Sequence, residues 1–68
     1  MEKVKIKTEY IKLDQFLKWT GMAGSGVGAK ETIGRGIVKV NGETVMQRGK
    51  KLRVGDKIEL GNKMFEIT

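Results

Sequence analysis

The stretch Ile37-Val38-Lys39-Val40-Asn41-Gly42-Glu43-Thr44-Val45 constrains the fold more than any other part of this sequence. Val38 and Val40 alternate with Lys39, the period of a strand with one dry face, and lead into Asn-Gly, the preferred pair of a type I′ two-residue turn. Such a turn sets the register, with Val38 facing Val45 across the hairpin. Residues 57–68 predict a second hairpin about Gly61-Asn62, with Ile58 opposite Phe65 and with Leu60 and Ile67 on the same face. Between the two hairpins, residues 46–56 read as a polar, basic connection ending in a turn at Gly55-Asp56. Near the N-terminus, Lys3 to Lys7 alternates lysine with Val4 and Ile6, which predicts an edge strand whose lysines discourage edge-to-edge aggregation.

Two short helices are expected between these strands. Leu13, Phe16, Leu17 and Thr20 share one helical face, and Gly21 suits the left-handed position just past a helix end, so the first helix has about two turns. On this helix Lys12, Gln15 and Trp19 share a flank, with Trp19 at the edge of the core-facing stripe. Ser25 is a good N-cap and Gly36 a good terminator for a second helix over about residues 26–35, with Ala29 and Ile33 on its dry face. Gly26, Gly28 and Gly34 within it each cost roughly 0.5–1 kcal/mol relative to alanine. Either the glycines let the helices pack closely or they let a ligand approach the backbone. The order of elements predicts an α+β fold, two short helices packed on a small, mainly antiparallel sheet of about four to five strands, with residues 1–68 as a single domain.

At 68 residues such a domain buries only roughly 60% of the surface its unfolded chain exposes, so a deep water-excluding cleft is not expected. The chain has no cysteine and no histidine, which removes thiolate and imidazole metal ligands and the commonest general base. Asp14, Glu31 and Asp56 fall on separate elements, so neither catalysis nor a metal or cofactor is expected. The segment Met22–Gly36 is glycine-rich but is no ATPase phosphate loop, because Ala29 stands where the second glycine belongs and Glu31 follows Lys30. A dinucleotide fingerprint would need a strand before it, and a helix precedes it instead. The apolar runs are short and the N-terminus is charged, so the expectation is a cytoplasmic monomer that does not engage membranes.

Fourteen Lys and Arg against eight Asp and Glu leave a net charge of +6, which attracts polyanions. Two features would concentrate it. At the second helix, Ser25, Gly26 and Gly28 would leave N–H groups open to a phosphate, with Lys30 one turn further on the same face. In the connection, Arg48, Lys50, Lys51 and Arg53 form a basic run, which is either a solvated loop or a contact surface. Together with Lys12, Lys18, Arg35 and Lys39 they would make one basic surface if the loop and the second helix share a face. Tyr10 and Trp19 are candidate stacking platforms for bases, although a core this thin favours their use at its edge.

The ordered set Lys12-Leu13-Asp14-Gln15-Phe16-Leu17, then Ser25 with Ala29 and Ile33, then Gly36-Ile37-Val38-Lys39-Val40-Asn41-Gly42, then Val54-Gly55-Asp56 resembles the ribosomal-protein-S-four-like domain, or αL RNA-binding motif. The resemblance covers residues 11–60. Gly26 stands where that family usually has an arginine after the serine, which is similar to the small stand-alone bacterial members of the YaaA and YbcJ type. The resemblance implies a non-enzymatic RNA-binding protein that contacts structured RNA, ribosomal RNA or a ribosomal particle, through the second helix, the following hairpin and the basic loop. The implied contacts are Lys12, Lys18, Ser25, Gly26, Lys30, Arg35, Lys39, Arg48, Lys50 and Lys51, with Lys30 replacing the missing arginine. The competing expectation is an adaptor that docks on a ribosomal or replication protein through Trp19 and Met22.

Overall fold

The structure, a computed structural model, describes residues 1–68 as β1 (Glu2–Val4), β2 (Ile11–Lys12), α1 (Leu13–Trp19), α2 (Gly26–Gly34), β3 (Val38–Val40), β4 (Glu43–Thr44), β5 (Lys51–Leu52), β6 (Lys57–Leu60) and β7 (Lys63–Ile67). The Asn41-Gly42 hairpin has the expected register, pairing Val40 with Glu43 and Lys39 with Thr44, and Val45 N–H donates to Val38 O at 2.9 Å. Asn41 and Gly42 lie at φ +53° and +85°, so both central residues are left-handed as a type I′ turn requires. The Asn41 side chain does more than tolerate this geometry. Its Nδ2 donates to Asp56 Oδ1 at 3.0 Å and its Oδ1 accepts from Lys57 N–H at 3.0 Å, while Asp56 Oδ2 accepts from Arg53 N–H at 2.8 Å. The first hairpin turn is thereby tied to the Gly55-Asp56 turn.

In the second hairpin Ile58 pairs with Phe65, and Ile58, Leu60, Phe65 and Ile67 are all buried on one face. The five long-sheet strands run in the order β1-β7-β6-β3-β4 and are antiparallel except at one edge. There β1 pairs parallel with β7, setting Lys3 beside Glu66 and Val4 beside Ile67. The expected edge strand is therefore real but shorter than Lys3 to Lys7. Its ladder continues through Thr68 N–H to Val4 O and Ile6 N–H to Thr68 O, which leaves Lys7 outside it. Parallel pairing is possible because everything between the two chain ends serves as the crossover.

Both helices cover the inner face of this sheet. Leu13, Phe16 and Leu17 of α1 and Ala29 and Ile33 of α2 join the inward residues of the strands in one core. Phe16 meets Phe65 edge to face, with centroids 5.5 Å apart and an interplanar angle of 85°, a favoured aromatic geometry. Gly21 and Gly36 follow the two helices at φ +78° and +73°. Trp19 departs from expectation: it is 58% exposed, beyond the margin of the core. The buried stripe of α1 is Leu13, Phe16 and Leu17, and Trp19 lies outside it.

The connection over residues 46–56 is also more than a loop. Its Lys51–Leu52 pairs antiparallel with Ile11–Lys12, Ile11 against Leu52 and Lys12 against Lys51, and Leu52 is fully buried. Lys12 is accordingly extended (φ −73°, ψ 147°) and precedes α1, where the sequence pattern had placed it on the helix flank. Two paired residues are too few to leave a period-two signature, and one leucine among basic residues does not announce a strand.

Candidate nucleic-acid interface

Helix α1 begins at Lys12, whose side chain makes no capping hydrogen bond. The first amides are satisfied from elsewhere: Leu13 N–H donates to Lys50 O at 2.9 Å and Asp14 N–H to Arg48 O at 3.1 Å. Carbonyls of the basic connection thus do the work that a serine or aspartate cap would do. The same docking, with the β2–β5 pairing, gathers Lys12, Arg48, Lys50 and Lys51, all exposed. Lys12 and Lys51 stand directly opposite each other, and like charges so placed are destabilising. The arrangement concentrates positive charge against its own repulsion.

Helix α2 starts differently. Ser25 is extended and its Oγ accepts from Gly28 N–H at 3.1 Å, while Gly26 and Val27 N–H have no acceptor within the chain. No acidic residue occupies the first turn. A Cβ added at Gly26 or Gly34 would meet nothing within 4 Å, and one at Gly28 would meet only Ser25 Oγ at 3.4 Å. Of the two readings of these glycines, close packing against the first helix is therefore excluded. The space beside these glycines is open, and the positive end of the helix dipole there favours an anion. Lys30 is exposed one turn along.

The other nominated residues lie away from these two helix starts. Lys18 lies in the last turn of α1, just before the connection to Ser25. Arg35 is the C-cap of α2, about 13 Å along the axis from the helix start. Beside it, a Cβ at Gly36 would meet Met46 Sδ at 3.8 Å and Thr44 Cγ2 at 3.9 Å, so this end abuts β4 and the approach to the basic connection. Lys39 is set apart. It alternates with buried Val38 and Val40, pairs with Glu59, and so lies on the sheet face turned away from the helices. One ion pair forms, Arg53 Nη1 to Glu9 Oε1 at 3.4 Å. None of the nominated lysines and arginines forms an ion pair with a carboxylate.

Tyr10, weighed in the sequence between stacking and core packing, is half-buried beside the first cluster. Lys51 Nζ lies 4.7 Å and the Arg53 guanidinium carbon 5.7 Å from its ring centroid, both within cation–π range. With Thr8, Glu9, Ile11, Lys12 and Gln15 it lines a cleft. Gln15 shared a flank with Lys12 in the sequence, but nothing in the linear pattern marked Thr8 or Glu9, because the strand pairing that assembles this corner was not legible. No helix is long and apolar enough to cross a membrane.

Residues 4–68 match the family model described as S4 domain. The chain is also 44% identical over 66 residues to the Probable ribosome maturation protein RlbA of Bacillus subtilis (strain 168), an alignment covering 96% of this chain and 93% of that protein.

Proposed function

From the premise that this chain belongs to the S4 domain family, we propose that it is a non-enzymatic RNA-binding protein whose target is structured ribosomal RNA or a ribosomal particle. The observation that carries this reading is the basic corner at the start of α1, where Lys12, Arg48, Lys50 and Lys51 are gathered and none of them forms an ion pair with a carboxylate. The open amides of α2, with Ser25, Gly26 and Lys30, supply a second phosphate contact. Lys18 and Arg35 flank these, and Lys39, on the outer sheet face, adds attraction at longer range. The relative named for ribosome maturation supports a ribosomal target. The protein works as a monomer in the cytoplasm, with residues 1–68 as one RNA-binding unit.

Contacts of this kind fix affinity and register, and A-form RNA is read through its backbone, shape and 2′-hydroxyls. Sequence preference on paired RNA is accordingly low. Binding weakens with salt as counterions compete for the phosphates, and each lysine contact removed lowers the log–log salt slope by about one. Lys30→Glu together with Lys50→Glu tests both clusters: the double variant should keep its circular dichroism spectrum and melting point and bind a structured ribosomal RNA fragment more weakly. Equal affinity of parent and variant at moderate salt would overturn the assignment.

The exposure of Trp19, at 58%, favours a second reading in which this side chain, beside a Met22 half-buried against the core, docks on a ribosomal or replication protein. Trp19→Ala would then abolish partner capture even after nuclease treatment. Capture that disappears with nuclease alone would favour RNA.

A further inference from the structure

We propose that the cleft lined by Thr8, Glu9, Tyr10, Ile11, Lys12 and Gln15 receives one unpaired nucleotide of the bound RNA, its base against Tyr10 and its phosphate beside Lys12 and Lys51. This rests on the RNA-binding reading and adds a site for a base that has left its helix. A nucleotide needs three things from a protein surface: a flat apolar wall, hydrogen-bonding groups at the base edge, and positive charge a few ångströms away. The cleft has each of them. Tyr10 and Ile11 supply the apolar wall; Thr8, Glu9 and Gln15 supply hydroxyl, carboxylate and amide; Lys12 lines the cleft and faces Lys51 across the β2–β5 pair.

The corner is also held in place before any ligand arrives. Thr8 Oγ1 donates to Tyr10 O at 2.8 Å, which braces the segment entering β2. The Tyr10 ring is approached by Lys51 Nζ at 4.7 Å and by the Arg53 guanidinium at 5.7 Å, and Glu9 holds that guanidinium at 3.4 Å. Charge biases the orientation of the nucleotide. Lys12 and Lys51 are unpaired and attract its phosphate, whereas Arg53 on the other side is already paired with Glu9, so the backbone takes the lysine side. A fully paired helix could use the lysines but not the ring.

The test compares an RNA hairpin carrying one bulged uridine with its fully paired counterpart, by fluorescence anisotropy, for the parent protein and for Tyr10→Leu and Tyr10→Phe. The parent should prefer the bulged RNA by roughly fivefold to a hundredfold, the range expected for one base stacked on an aromatic ring. Tyr10→Phe should keep the preference, and Tyr10→Leu should lose it while binding the paired hairpin as the parent does. On the unmodified protein, 4-thiouridine at the bulge should crosslink to Tyr10, a readout that does not depend on the variants folding. Equal binding of both RNAs by the parent, or a crosslink confined to other residues, would overturn the site while leaving RNA binding intact. Failure to bind either RNA would instead overturn the parent reading, and the nucleotide site with it.

Discussion

The two helices of this protein begin in opposite ways. At α1 the first amides are closed by Lys50 and Arg48 carbonyls, so the basic connection is held as part of the fold and its charges are delivered to one corner. At α2 the cap is a local serine, and the Gly26 and Val27 amides have no acceptor within the chain. One start closes its amides on the carbonyls of a basic segment; the other leaves two amides without an acceptor in the chain. The difference teaches that a helix start can be closed by a distant segment, which fixes that segment in the fold, or by a local side chain, which leaves its first amides free.

The largest expected effect breaks the α1 arrangement. Leu52→Ala should cost about 2–5 kcal/mol in urea unfolding, because a fully buried leucine is lost where β5 is held against the core. A chain of this size has only about 3–10 kcal/mol in all, so much of the population would unfold at 37 °C. In the molecules that stay folded, the Leu13 and Asp14 amides should exchange with solvent faster, since their acceptors leave with β5.

Ser25→Ala should cost about 1 kcal/mol by removing the hydroxyl that accepts from Gly28 N–H. In a domain of this length that lowers the melting temperature by about 4–8 °C, measurable by calorimetry. Gly34→Ala should stabilise by about 0.5–1 kcal/mol, because a methyl group there meets nothing, and RNA affinity should not change. Gly26→Asp gives the sharpest contrast although its energy is the smallest. A carboxylate in the first turn should stabilise α2 by about 0.3–1 kcal/mol while weakening RNA binding, so the two measurements move in opposite directions. A variant that gained stability and kept full affinity would show that the open amides are not used.

The residues that carried the family resemblance turn out to be mostly those that build the fold. Leu13, Leu17, Ala29, Ile33, Val38 and Val40 are core, Gly36 is a helix terminator, and Asn41, Gly42, Gly55 and Asp56 form two linked turns. These were legible because each is governed by local rules: helical period, strand period, or a backbone angle that few residues adopt. The basic cluster was legible only as a list of charges. Lys12 and Lys51 are 39 positions apart, and nothing local says that they face each other. Tyr10 was ambiguous for the same reason, since its surroundings come from the far strand.

By itself the sequence determined the two hairpins with their registers, the extent of both helices to within a residue or two, the inward face of each element and the excess of positive charge. These follow from short-range periodicity and turn stereochemistry. Only the tertiary structure decided that β1 runs parallel to β7, that residues 51–52 form a strand, that Lys12 and Lys51 stand opposite each other, and that the space beside the α2 glycines is open. Each of these depends on a contact between distant segments, where the energy comes from burying Leu52 or satisfying a helix amide and leaves no repeating trace along the chain.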